Sequence, residues 1–333
     1  MTTGMDSADL SMVLHITETI RANVARVIIG KQEIIDLLLV ALLSNGHVLI
    51  EDVPGMGKTV MAKALARSLG ATFQRVQGTP DLLPTDIIGV SYFDQRRNDF
   101  VFRKGPLFTQ ILLVDEINRT TPRTQSALLE AMAERQVTVE RETVALSQPF
   151  LVLATQNPVE LEGTFPLPEA QLDRFLMRVQ VGYPSLEEEE AILHRFKQAE
   201  PLETLQPVTS AEQILHLQQA IRLVQWQPVV ERYLLAIVRA TREHAAVQLG
   251  VSPRGALALH RACEAYAAMQ GRTFVLPDDI KYLAPSVLAH RLLTNTRTRM
   301  RGKRALEIID EILQQTPAPV EVIAAPSDRK MAS

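Results

Sequence analysis

Lys58 and Thr59 follow a turn built on Pro54, Gly55 and Gly57 in the stretch HVLIEDVPGMGKTV, residues 47–60. A lysine and a hydroxyl behind a glycine-rich turn are the residue types that handle a triphosphate. Backbone N–H groups of such a turn point inward around phosphate oxygens, the lysine reaches the β- and γ-phosphates, and the hydroxyl helps to hold Mg²⁺. Pro54, Gly55, Met56, Gly57, Lys58, Thr59 and Val60 are therefore candidate nucleotide-binding residues. The spacing follows GxxxxGK[ST], except that Asp52 stands at the first glycine position. A carboxylate turned inward would repel phosphate, so Asp52 is expected to point away. A plain glycine-rich turn with an exposed lysine is the alternative, but the apolar run before it and the helical pattern KTVMAKALARSL after it supply the strand–turn–helix setting that the chemistry needs.

Two carboxylates complement the turn. Ile111, Leu112, Leu113 and Val114 read as a strand buried on both faces, and Asp115 and Glu116 fall at its C-terminal end, where open α/β sheets place their ligands. There Asp115 would hold Mg²⁺ through water and Glu116 would polarise the attacking water. Two charges ending a buried run with no task would be costly. A second buried run, FLVLAT, leads into Gln156-Asn157-Pro158. The Asn157 amide could orient the lytic water or touch the γ-phosphate, whereas an isolated Asn-Pro would be only a turn.

Several arginines admit two readings each. Arg174, in LPEAQLDRF, is either the cation that phosphoryl transfer requires or a surface ion-pair partner. Arg254 opens a helical pattern, where the dipole gives a cation nothing, and stands against the alternative of a chance surface arginine. Arg119 and Arg123, near the start of the helix TPRTQSALLEAMAERQ, would contact a neighbouring subunit's nucleotide or be solvated.

The elements that must position these groups alternate between strand and helix as far as Tyr183-Pro184. An amphipathic helix from about Asp9 to Val27 leads through Val27-Ile28-Ile29-Gly30-Lys31 into a second helix ending near Leu43. The apolar turn is either a helix connection or a shelf for the adenine base. After a strand over 71–77, a segment rich in proline and glycine up to residue 107 encloses short β-prone pieces at 88–92 and 100–102, a hairpin insertion that is either functional or plain surface loop. Residues 137–146 read as another hairpin, with Glu140, Arg141 and Glu142 at its turn. Beyond Pro184 the pattern is helical, opened by Ser185 and Glu188 as a capping box. At 333 residues the chain has room for two domains, each expected to have its own core. The basic stretch HRLLTNTRTRMRGKR, 290–304, lacks an aromatic residue for base stacking and is expected to be solvated, and the tail TPAPVEVIAAPSDRKMAS to be loosely packed or disordered.

Composition narrows the partners. A formal net charge of −3 offers no bulk attraction to nucleic acid or anionic membrane. The single Cys263 cannot form an intrachain disulfide, which fits packing in a reducing compartment. No secretory signal is visible. The longest apolar run, 34–43, contains Asp36 and falls well short of the ~20 residues that span a bilayer. A cytoplasmic protein without membrane insertion is expected, with nucleic acid an unlikely partner.

The ordered set VPGMGKT, ILLVDEINR, ATQNP, LPEAQLDRF and SPRGALALHRA resembles the AAA+ ATPases and, within them, the MoxR family, over about Val27 to Arg291. The resemblance implies a P-loop AAA+ αβα sandwich with a five-stranded parallel sheet (residues 1–184), a C-terminal all-α lid (185–316) with ATP in the cleft between, and a flexible tail (317–333). It implies ATP and Mg²⁺ as cofactors, with Lys58 and Thr59 as the Walker A pair and Asp115 and Glu116 as the Walker B pair. Asn157 resembles sensor 1, Arg174 an arginine finger acting on a neighbour's ATP, and Arg254 sensor 2, in cis or in trans. Ile28, Ile29 and Gly30 match the adenine-side segment, and the two hairpins match pore-facing elements. Such proteins form rings, expected here as a hexamer, and remodel or activate client protein complexes, often with a von Willebrand factor A domain partner. The other readings are a nucleic-acid motor and a slow nucleotide-gated assembly scaffold.

Overall fold

A computed structural model describes residues 5–96, 98–139, 142–158, 163–198 and 201–319. The turn residues Glu140 and Arg141 and the tail from 320 onward lie outside the described residues. The chain opens with α1 (Ser7–Ala25) and α2 (Gln32–Leu43), followed by β1 (Val48–Glu51), α3 (Lys58–Ser68) and β2 (Phe73–Gln77). The short α4 (Pro84–Ile88) leads into a hairpin of β3 (Gly89–Asp94) and β4 (Asp99–Lys104). Then come β5 (Ile111–Asp115), α5 (Pro122–Glu134), a second hairpin of β6 (Gln136–Val139) and β7 (Glu142–Ala145), β8 (Leu151–Gln156), α6 (Glu169–Leu172) and β9 (Met177–Val179).

Five strands form one sheet in the order β2-β5-β8-β1-β9, and every pairing in it is parallel. Strand alternation explains its two faces. Val48, Ile50, Ile111, Leu113, Leu151 and Leu153 pack with α1, α2 and α3 on one side. Leu49, Leu112, Val114, Val152 and Ala154 pack with Leu128, Leu129 and Met132 of α5 on the other. Cover on both faces is why β5 and β8 are apolar without alternation. Each such Leu or Ile contributes about 1.5–3 kcal/mol by burial. The order β5-β8-β1 brings three strand ends together, with Val114 opposite Ala154 and Glu51 opposite Gln156.

The helical part after β9, expected as the lid, consists of α7 (Leu186–Gln198), α8 (Ala211–Ala220), α9 (Pro228–Glu243), α10 (Pro253–Met269), α11 (Pro277–Leu288), α12 (Thr296–Met300) and α13 (Ala305–Gln315). Between helices it also carries a small antiparallel pair, β10 (Val247–Leu249) with β11 (Leu293–Thr294). Its core is not separate, in contrast to the expectation from the sequence. One continuous buried cluster joins Val48 and Ile50 of β1, Ile20 of α1 and Leu38 and Leu42 of α2 to Leu217, Leu259 and Leu283 of the lid. The physical reason is α2, which is buried nearly all round: its Ile34, Ile35 and Leu37–Leu43 are buried because sheet and lid clamp it from opposite sides. Asp36, the one charge in that run, is paired with Arg21 at 2.6 Å.

The basic stretch also departs from expectation at its start. His290 and Arg291 are buried, and only from Arg297 onward do its cations reach the surface. Cys263 is a buried free thiol whose pKa burial pushes up, as suits a packing residue.

Candidate nucleotide-binding and catalytic site

The turn after β1 needs glycine for torsional reasons. Gly55 and Gly57 have φ of 86° and 75°, and a Cβ on either would meet nothing within 4 Å. Gly57 directly precedes α3, so Lys58 and Thr59 stand at the helix N-terminus where unpaired N–H groups favour an anion. Lys58 Nζ donates to the carbonyls of Asp52 at 2.9 Å and Val53 at 3.1 Å. Burial lowers the Lys58 pKa, opposed by the charges of Asp52, Asp115 and Glu116. Asp52 lines the cavity beside this turn, but its carboxylate is tethered by two backbone donors. Its Oδ1 accepts from the Val53 N–H at 2.8 Å and its Oδ2 from the Gly182 N–H at 2.7 Å, tying the turn to the segment after β9.

Asp115 ends β5 at 7 % exposure. Its Oδ2 accepts from Arg75 Nε at 2.6 Å, and its Oδ1 accepts from Thr155 Oγ1 at 3.2 Å. The Thr155 hydroxyl also accepts from the Glu116 N–H at 2.9 Å, so β8 braces both carboxylate residues. Glu116 has φ 57°, a left-handed turn that swings its side chain out of the strand direction. Its Oε2 accepts from Gln77 Nε2 at 3.0 Å and from Arg119 Nη1 at 3.2 Å. Arg119 thus faces its own chain's glutamate, while Arg123 is exposed. Gly78 is required where β2 ends, because a Cβ there would collide with the Glu116 carbonyl.

Arg75, Gln77 and Thr155 were not singled out by sequence reasoning. The available signal was the alternation of β2, FQRVQ, which sets residues 75 and 77 on one face of a strand. What the sequence could not supply was the neighbour: Arg75 pairs with Leu113 and Gln77 with Asp115.

A cavity of about 340 Å³ gathers these groups, lined by Asp52 and the turn from Pro54 to Val60 together with Arg75, Gln77, Asp115, Glu116, Thr155 and Asn157. A second, more apolar cavity of about 370 Å³ shares Pro54, Gly55, Met56, Gly57 and Val60 with it. Ile28 and Ile29 form one wall of that space, and Tyr183, Ile192 and Phe196 the other. Gly30 lies beside this wall, with φ 66° and Glu188 packed where a side chain would stand. Its neighbour Lys31 donates to the Tyr183 carbonyl at 2.8 Å, which joins the Ile28-Ile29 segment to the start of α7.

Arg174 and Arg254 line a different cavity, of about 450 Å³, between the C-terminal ends of α2 and α5 and the start of α10. Neither lines the cavity that holds Lys58 and Glu116. Arg174 Nη1 donates to the Leu129 carbonyl at 2.6 Å. The structure therefore separates the candidate residues into two groups: Lys58, Thr59, Asp115, Glu116 and Asn157 in one cavity, and the two arginines in another.

A parallel sheet with this turn at the end of β1, paired carboxylates at the end of β5 and a helical lid defines a P-loop ATPase of the AAA class. Residues 47–177 match the ATPase family associated with various cellular activities (AAA), and residues 239–312 match the AAA lid domain. The chain is 51% identical to the uncharacterized protein YeaC of Bacillus subtilis over 90% of its length and 93% of that protein's. It is 40% identical to the chaperone MoxR1 of Mycobacterium tuberculosis, covering 95% of this chain and 86% of the relative. In three dimensions it superposes on the crystal structure of a protein described as an ATPase from Cytophaga hutchinsonii with a TM-score of 0.88 at 37% identity, covering 94% of this chain and 97% of the other. The chain belongs to the MoxR family of AAA+ ATPases and is an ATP-hydrolysing enzyme.

Proposed function

We propose that this ATPase works as a closed ring, expected to be a hexamer, in which each phosphate cavity is completed by Arg174 and Arg254 of the adjacent subunit. The observation that carries this reading is the separation of the two arginines from the cavity lined by Lys58, Asp115 and Glu116. A site whose transition-state cations sit elsewhere on the chain needs a second copy, and a heterologous contact that closes on itself gives a ring.

Within one subunit the chemistry is divided as follows. The N–H groups of Gly55 to Val60 cradle the phosphates, and Lys58 moves from the Asp52 and Val53 carbonyls to the β- and γ-phosphate oxygens. Ile28 and Ile29 wall the base, with Gly30 allowing Glu188 close behind them. Thr59 and Asp115 offer oxygen donors that suit Mg²⁺; each Asp115 oxygen has one protein donor and retains a lone pair for a metal-bound water. Among the described residues no group of three or more His, Cys, Asp or Glu could hold a metal, so the phosphates would supply the remaining ligands. Bound there, Mg²⁺ would neutralise charge on the transferring phosphoryl group. Glu116 accepts the proton of the attacking water, and Asn157 orients that water. Arg174 and Arg254 of the neighbour stabilise the charge that develops as the bond breaks.

The output we infer is remodelling or activation of client protein complexes, together with a von Willebrand factor A domain partner, in the cytoplasm. The relative named a chaperone supports a protein client. So does the β3–β4 hairpin, which exposes Tyr92, Phe93 and Phe100. Among the described residues no helix is long and apolar enough to cross a membrane. The test is subunit mixing. Arg174→Ala and Lys58→Ala proteins, each nearly inactive, should recover turnover when combined; no recovery in demonstrably mixed rings refutes the shared site.

A further inference from the structure

Asp173, the residue before Arg174, is gripped from two sides by the lid. Its Oδ1 accepts from Arg291 Nε at 2.7 Å, and its Oδ2 accepts from Ser252 Oγ at 3.1 Å. The Arg291 side chain is 2% exposed. All five of its N–H groups find acceptors, the others being the carbonyls of Asp173 at 3.4 Å, Phe175 at 2.6 Å, Leu176 at 3.0 Å and Val287. One buried cation therefore holds the backbone on both sides of Arg174.

Ser252 closes the arrangement from α10. Its Oγ accepts from the Gly255 N–H at 3.2 Å, capping the helix, and gives its own proton to Asp173. Arg254 lies in the turn so capped. Gly255 is where this turn meets the Arg291 stem, since a Cβ there would stand 2.8 Å from Arg291 Cδ. The loop bearing Arg174 and the helix start bearing Arg254 thus share one carboxylate, seated on one buried guanidinium.

We propose that Asp173, Arg291 and Ser252 are positioning residues that hold Arg174 and Arg254 as one rigid pair for a triphosphate bound by the adjacent subunit. This rests on the reading that both arginines act in trans. The chemistry fits the residue types. A carboxylate neutralises the buried guanidinium while accepting from two directions, and a planar fork of five donors reaches carbonyls that a lysine ammonium would leave unpaired. Phosphoryl transfer depends on where the cations stand, so a loosened pair costs rate without costing nucleotide affinity.

Ser252→Gly tests this while keeping the helix start, because glycine caps nearly as well as serine but has no proton for Asp173. Ser252→Thr retains both functions. Ser252→Gly should lower kcat about tenfold and Asp173→Asn about a hundredfold, with KM for ATP and nucleotide affinity unchanged, and Ser252→Thr should restore most of the rate. Mixing Ser252→Gly subunits with Lys58→Ala subunits, whose arginines are intact, should raise turnover, whereas a lesion confined to the mutated subunit's own fold is not repaired by a neighbour. Should Asp173→Asn fail to fold, Ser252→Gly carries the test alone. A wild-type kcat for Ser252→Gly, or a loss that mixing does not relieve, overturns the proposal. Arg174→Ala in the same assay separates the two ideas: if it too is not relieved, the trans reading fails; if it is relieved while Ser252→Gly is not, only the positioning role fails.

Discussion

The Thr155 hydroxyl on β8 donates to the Asp115 carboxylate on β5 at 3.2 Å, across the register of two adjacent parallel strands. The same oxygen accepts from the Glu116 N–H, so one hydroxyl sets the direction of both acidic residues. Thr155→Val keeps the shape but leaves a half-buried N–H unpaired and removes a donor from the carboxylate. The expected loss is about 1–3 kcal/mol of unfolding free energy, read from the urea midpoint, together with a fall in kcat. Unchanged turnover would show that Asp115 and Glu116 are aimed without it.

Asp52 stands where the motif GxxxxGK[ST] has glycine, yet Asp52→Gly is predicted to harm this protein. The side chain holds the Val53 and Gly182 N–H groups, and hydrogen bonds to a charged acceptor contribute about 1.5–3 kcal/mol each. Titration of a fluorescent ATP analogue should report weaker binding. An affinity gain would mean that carboxylate repulsion of phosphate outweighs the tether.

Gly30→Ala should act on the base side alone. The position has φ 66°, which costs a side-chain-bearing residue about 1–2 kcal/mol, and the new methyl must displace the Glu188 carboxylate. We expect KM for ATP to rise several-fold with kcat nearly unchanged. A drop in kcat at saturating ATP would place the effect at the phosphates instead.

His47 makes stability depend on pH. Burial depresses its pKa to about 4. The ring geometry agrees: Nε2 lies 3.0 Å from the Met132 carbonyl, and Nδ1 accepts from the Val152 N–H at 3.0 Å, which a second ring proton would block. Between pH 6.5 and about 4 the unfolded chain therefore binds the proton that the folded chain refuses, and stability falls as pH falls. The full effect is on the order of 3 kcal/mol. His290, also depressed by burial, acts in the same direction. Urea midpoints at pH 7 and 5 should differ less for His47→Asn than for the wild type; an equal difference would remove His47 from the explanation.

Local pattern was enough to read the strand–turn–helix around Lys58, the buried strand before Asp115 and the amphipathic start of the chain, because each is written within a few consecutive residues. The sheet's residue alternation and the Thr121 cap of α5, whose oxygen accepts from the Thr124 N–H, follow from the same local rules. The partners of the site were not readable in this way. Arg75 reaches Asp115 across a strand pairing, Asp52 reaches Gly182 across the length of the first domain, and Arg291 reaches Asp173 from the far end of the lid. In each case the chemistry of the side chain was visible and its neighbour was set by topology. The basic stretch misled for the same reason: charge suggested solvent, but a guanidinium with all five N–H groups paired is at home in the core.

Only Gln32, Glu33 and part of Asp36 give the helix α2 a strip facing water, since sheet and lid cover the rest of it. Exchange of modules between relatives is restricted accordingly. A lid transplanted from another member of the family would meet α1 and α2 as a foreign surface, so a functional chimera must carry the first two helices along with residues 186–315, even though the sheet and its phosphate turn lie between them in the chain.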